Sequence, residues 1–463
     1  VKAFALAVVL VQIAIPATAA DRLAAEDLAA TRSGQARTWT VGAADADFPL
    51  ISPALAAAAE GDTILVGPGV YRENLVLHQR VSIVGHGSPV LIGLGSGSVI
   101  RIVAPGCEIR GLVIEGSGAG ETNEMDAAIQ VASSGNRIAG NTMRRVFYGV
   151  VVAAPDNEVA DNRITGFLDL PFGRRGDGIY VYRSHGARVL RNHVVGERDG
   201  IYFQYAPGGH AEGNVVEASR YALHVMFAND IVIRGNTLRR SSVGANIMES
   251  RRIRIEENRI EHNRGGALAV GLALKACDDS AMLRNQLADN ARGLQVDGSS
   301  RNTFADNRLL YNDAAVLLFA SAEQNVFTGN LFDGNWSDVI VSGRGATTMW
   351  SSSGRGNRWS GYRGFDFDGD GVGDQAYALV TPFAAIEGAN PAARLFLGTP
   401  AAAGLELAAR AGLTPGLGDS DPHPVVGEEP AREKTAGGHA PGWMTVTLLT
   451  LALAVVAVRE VSP

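Results

Sequence analysis

Residues 198–226 read RDGIYFQYAPGGHAEGNVVEASRYALHVM, and their reading decides the fold. GIYFQ (200–204) alternates apolar and polar positions, and ALHVM (222–226) repeats that pattern 22 residues on. Alternation over four to six residues marks a half-buried strand. The same segment recurs upstream as GIYVY (178–182) and downstream as GANIM (244–248). Asn214, between the two strands, stands 22 residues after Asn192 and 22 before Asn236.

Extending both columns shows a repeat along much of the chain, and such a period identifies the architecture. Asparagine recurs at 141, 162, 192, 214, 236, 258, 285, 307 and 330. A small residue keeps step at Gly149, Gly178, Gly200, Ala222, Gly244, Gly266, Gly293 and Ala315. With three short strands in each unit of about 22 residues, the chain reads as all-β: a right-handed parallel β-helix, a pectin-lyase-like solenoid. Coils then stack at the interstrand spacing of about 4.8 Å. A leucine-rich repeat is the rival, and its Leu-x-x-Leu-x-Leu frame is missing. The asparagine column suits a turn in the left-handed region, which Asn tolerates. Stacked amides can also bond along such a column. Insertions are expected as loops at 116–126, 166–175 and 271–279, and loops on a rigid solenoid commonly carry contacts.

The remaining chain reads in blocks. Residues 1–19 form an export signal, with Lys2, an apolar stretch from Ala3 to Ile15 and the Ala17-Thr18-Ala19 cleavage motif. Residues 20–62 hold a cap helix over the open end of the solenoid, whose bare strand edges need cover. The β-helix takes 63–345, an acidic-loop module 346–399, and a Pro/Ala/Gly-rich flexible linker 400–441. Residues 442–459 form a transmembrane helix, with Trp443 at its interface edge. This places the protein in the periplasm, tethered to the inner membrane. The chain's 463 residues carry a formal charge of −7, which argues against a nucleic-acid partner. Its 56 glycines and 6% aromatics suit a turn-rich β architecture. Cys107 and Cys277 lie many coils apart and are expected to stay unbridged.

The strand columns also assign faces. Ile179/Val181, Ile201/Phe203, Leu223/Val225 and Ala245/Ile247 are apolar and point inward, so the alternate residues point outward. The outward third column is Tyr180, Tyr202, His224, Asn246, Leu268, Gln295 and Leu317. The fifth is Tyr182, Gln204, Met226, Met248, Val270, Asp297 and Phe319. His224, Met226 and Met248 thus meet on one patch, and thioether with imidazole suits Cu(I) over a hard ion. Exposed Met and aromatic residues also suit a docking face without metal, bordered by Tyr180, Tyr182, Tyr202 and Asn246. Cover by a loop is the third reading. Asp177 and Asp199, on neighbouring coils, could serve a carbohydrate-active enzyme of the retaining kind, or simply open Asp-Gly turns. FDFDGDGVGD (365–374) sets Asp366, Asp368, Asp370, the Val372 carbonyl and Asp374 in the first half of a calcium loop, without its closing glutamate.

GDGIYVYRS (176–184), DGIYFQYA (199–206), RYALHVMFAND (220–230) and NRWSGYRGFDFDGDGVGDQAY (357–377) carry a family resemblance. The chain resembles the NosD family of periplasmic β-helix proteins, needed to mature the copper centre of nitrous oxide reductase. The resemblance implies an accessory factor and not an enzyme. It implies work with the permease and ATPase subunits of an ABC transporter and with a copper chaperone, handling copper or sulfur. It makes His224, Met226 and Met248 candidates for a copper-passing face, although Phe227 and Glu249 depart from the family's pattern around them.

Overall fold

The computed structural model describes residues 36–427, apart from 44, 120–124, 267–268, 344–346, 381 and 411–418. The expected export signal and transmembrane helix lie outside the described residues. Among these, no helix is long and apolar enough to cross a membrane.

Each coil folds where its alternation dictates. Three parallel sheets result, built from the first, second and third strands of successive coils. The first sheet has 13 strands, from Thr38–Val41 to Val326–Thr328; the second has 13, from Val70–Arg72 to Arg358–Trp359; the third has 12, from Leu75–Leu77 to Ser337–Ser342. The chain is a right-handed parallel β-helix. Its core is the inward half of the alternation, with Ile179, Val181, Ile201, Phe203, Leu223, Val225, Ala245 and Ile247 all buried.

The asparagine column is a buried ladder. Asn236 Oδ1 accepts the Asn214 backbone N–H and its Nδ2–H, both at 2.9 Å, while Asn236 Nδ2 donates to the Ala211 carbonyl at 2.9 Å. This pattern consumes both ends of each amide, so a buried polar column carries little penalty. The asparagines themselves are not left-handed, contrary to the sequence expectation. The residue before them is, for example Asp161, Arg191, Glu257 and Arg284. That residue makes the bend, and the bend turns the asparagine inward.

One register differs. GALAV (266–270) was expected to form the strand after GANIM. Instead Asn246 pairs with Ala273 and Met248 with Lys275, within strand Val270–Asp278. Residues 271–279 are therefore largely strand and not loop, and the insertion precedes them. GALAV and GLALK (271–275) present the same alternation five residues apart. The second choice buries Leu272, Leu274 and Cys277, which decides the register.

Both ends are closed. Helix Ile51–Ala57 buries Ile51 and Ala54 against the first coils, and Glu73 accepts the N–H groups of Ile51 (2.9 Å) and Ser52 (2.8 Å). The solenoid starts before this helix, because Thr38–Val41 already pairs with Thr63–Val66. At the other end, the segment expected as flexible linker contributes structure. Pro400–Arg410 is helical, and Ser420–Asp421 pairs with Tyr377–Ala378. Asp421 Oδ2 terminates the asparagine ladder, accepting Asn357 N at 2.7 Å and Trp359 Nε1 at 2.9 Å. Cys107 and Cys277 are buried and free.

The outer face of the third sheet is covered in two places. Helix Pro382–Ala389 packs on the last strands, with Ala384 against Ala314 and Ile340. Met125, Phe147 and Phe167 pack over Tyr148, Tyr180 and Tyr202 on earlier ones. Strands Tyr221–Met226 and Val243–Arg251 lie between these covers.

Candidate metal site

The register brings the expected donors together. Tyr202 pairs with His224, His224 with Asn246, Gln204 with Met226 and Met226 with Met248. His224 therefore shares a face with Met226 on one strand, and Met248 lies beside Met226 on the next.

The face is less open than the alternation suggests. Of the four residues expected to border a partner, Tyr180, Tyr202 and Asn246 are only 7–9% exposed, and Tyr182 is half-buried. Aromatic stacking closes them. Tyr148, Tyr180, Tyr202 and His224 form a column with ring centroids 5.9, 5.1 and 4.2 Å apart. The accessible part of the face is elsewhere: Met226 and Met248 are half-buried, while Tyr205 and Phe227 are exposed and stacked at 5.1 Å. The strand columns miss Tyr205 and Phe227 because both follow the strand, although Phe227 stands out as a departure from the family's pattern. Each sits at positive φ, which swings its ring outward past the column.

His224 is fixed on all sides. Its ring lies parallel to Tyr202, meets Tyr221 edge-on at 5.1 Å, and places Nδ1 2.9 Å from Asp199 Oδ2. Nε2 is buried and has no hydrogen-bond partner. Met226 Sδ accepts the Tyr202 hydroxyl at 3.6 Å, and Met248 Sδ accepts Asn246 Nδ2–H at 3.3 Å. An imidazole nitrogen with no partner, on one sheet face with two thioethers, offers donor types that suit Cu(I).

Asp177 and Asp199 do lie on neighbouring coils, but their oxygens are committed. Arg198 grips Asp177 through two bonds of 2.9 and 2.8 Å, and Arg220 gives Asp199 Oδ1 two more at 3.0 and 2.7 Å. Both carboxylates are buried. Burial acts to raise Asp199, but His224 and Arg220 outweigh it and hold its carboxyl below the usual range. Burial and the neighbouring Asp199 charge push Asp177 the other way, against Arg198. The pair anchors His224 and offers no open face to a sugar. The role of Asp199 as the histidine's partner was not legible, because the two residues lie 25 positions apart.

In the acidic loop, Asp366, Asp368 and Asp374 bring one carboxylate oxygen each within 4.8 Å of one another. Asp370 stands outside this group, and Val372 is tied by an antiparallel bridge to Val425. The carboxylates also accept the loop's own amides, which fix the turn. Asp366 accepts Gly369 N (2.7 Å) and Gly371 N (3.0 Å), and Asp374 accepts Phe367 N (2.6 Å).

Comparison with known proteins places this geometry. Residues 156–364 match the family model described as periplasmic copper-binding protein (NosD). The chain is 37% identical over 376 residues to the "Probable ABC transporter binding protein NosD" of Stutzerimonas stutzeri, covering 76% of this chain and 85% of that one. It is 39% identical over 384 residues to the protein of the same name from Pseudomonas aeruginosa, covering 76% and 86%. Among solved structures, the family 28 exopolygalacturonase of Yersinia enterocolitica superposes with a TM-score of 0.53 at 12% identity, over 68% of this chain and 79% of that one. That likeness concerns the fold alone. With relatives of this identity, each spanned over more than four fifths of its length, the chain belongs to the NosD family.

Proposed function

We propose that this protein is a periplasmic accessory factor that holds Cu(I) in transit at His224, Met226 and Met248 during maturation of the copper centre of nitrous oxide reductase. The observation that carries this reading is the buried, unpartnered His224 Nε2 on the sheet face that also carries Met226 and Met248. A buried polar atom without a partner is costly unless something else binds it. Imidazole and thioether are donors for a soft metal, so copper suits this site better than sulfur as cargo. The names of the curated relatives support an ABC transporter as partner. Its permease and ATPase subunits would be the components this protein works with. A copper chaperone would load the site, and residues 442–459 would tether the protein to the inner membrane. The reading is not enzymatic, because Asp177 and Asp199 spend their oxygens on Arg198, Arg220 and His224. The acidic loop, with its hard carboxylate donors, plays no part in holding a soft ion.

The test is the copper content of nitrous oxide reductase from cells whose only copy of this protein carries His224→Ala, Met226→Leu and Met248→Leu. Reductase deficient in copper, at normal levels of the variant, is expected. Fully loaded reductase would remove these residues from the pathway.

A further inference from the structure

The position of Asp199 has a consequence for the chemistry of His224, and it rests on the copper reading above. Asp199 Oδ1 already accepts two N–H groups from Arg220, at 3.0 and 2.7 Å. Its other oxygen, Oδ2, faces His224 Nδ1 at 2.9 Å. An ionised carboxylate only accepts hydrogen bonds, so the nitrogen facing it must carry the hydrogen. A neutral imidazole has one N–H, which leaves Nε2 with a bare lone pair. A flip of the ring would put Cδ2 in place of Nδ1 beside Asp199 and lose this bond, and Tyr202, stacked on the ring at 4.2 Å and 5°, and Tyr221, against its edge, pack it in place. Asp199 is itself held through its backbone N–H, which donates to Asp177 Oδ1 at 3.2 Å, and Asp177 is gripped by Arg198.

We propose that Asp199 is the positioning residue of this site: it accepts the hydrogen bond of His224 Nδ1–H, fixes the tautomer and leaves the Nε2 lone pair free for an incoming soft metal ion. Histidine ligands commonly donate their second nitrogen to a carboxylate, and loss of such a partner costs about tenfold to hundredfold in metal affinity. Asp199→Asn is the informative change. Its carbonyl oxygen can still serve Arg220, which turns the amide N–H toward Nδ1 and drives the imidazole proton to Nε2.

The experiment is nitrogen NMR of the histidine-labelled intact chain, metal-free, with His224 assigned by its loss in His224→Gln. The parent is expected to show Nδ1 protonated and Nε2 bare. Asp199→Asn is expected to show the reverse, together with an affinity for Cu(I), set by competition with a chromogenic chelator, that is about tenfold to hundredfold weaker. A proton on Nε2 in the parent overturns the proposal, and this spectrum needs no variant to fold beyond the assignment. So does an Asp199→Asn protein that keeps the parent tautomer and the parent affinity. A parent with the expected tautomer that binds no Cu(I) defeats the copper reading instead and leaves the tautomer assignment standing.

Discussion

At the scale of single residues, the third sheet holds its candidate donors with a second set of side chains: Asp199 behind His224, Tyr202 behind Met226, Asn246 behind Met248. The donors were legible, because alternation alone puts positions 224, 226 and 248 on one face. Their supports were not, since a hydrogen bond across coils depends on rotamers that no spacing encodes. Glu197 is another buried acid, one that the sequence did not single out. It lies 22 residues before Ser219, in a turn column that continues through Ser241 and Asn263. Both its oxygens are buried, facing the Gly166 backbone. Burial, then the charge of Asp177, pushes its carboxyl well above the ordinary range, only partly offset by Arg175 and the Gly166 backbone N–H. The folded state therefore favours protonated Glu197, and its contribution worsens as pH rises past the unfolded value of about 4.3. Glu197→Gln is expected to gain roughly 1–3 kcal/mol over the parent in urea unfolding at pH 8 and almost nothing at pH 4. A gain independent of pH would contradict this.

At the scale of elements, the stack is set by ladders and by the alternation. The asparagine column was visible as a spacing, and so was the existence of three strands per coil. What spacing could not give was the position of the bend, one residue earlier than the asparagine, or the choice between GALAV and GLALK. Both segments satisfy the local pattern, and only burial of Leu272, Leu274 and Cys277 separates them. The ladder makes a direct prediction. Asn236→Ala takes the shared acceptor from two buried donors, the Asn214 backbone N–H and its Nδ2–H. Each such group costs about 1–3 kcal/mol, so a loss of at least about 2 kcal/mol is expected in denaturant unfolding. A loss below about 0.5 kcal/mol would mean that the ladder carries little of the fold.

At the scale of the whole molecule, coils contact mainly their neighbours, so damage at one end should stay there. Asp421 accepts from Asn357 and Trp359, a contact between segments 62 or more residues apart that the sequence reading gave to a linker. Asp421→Ala is expected to speed amide exchange of Arg358–Trp359 by about tenfold, or about 1.4 kcal/mol, and to leave Tyr221–Met226 unchanged. Uniform loss of protection would show that the solenoid unfolds as one unit. The same layout explains why the candidate site lies where it does: helix Pro382–Ala389 covers the late strands of the third sheet, Phe147 and Phe167 cover early ones, and the donors occupy the span between. The most direct measurement is an anaerobic Cu(I) competition titration of the parent beside the His224→Ala, Met226→Leu, Met248→Leu variant, both checked for an unchanged melting temperature. One tight equivalent in the parent, lost in the variant, is the predicted result. Equal binding by both, or none by either, would contradict the assignment of copper to this face.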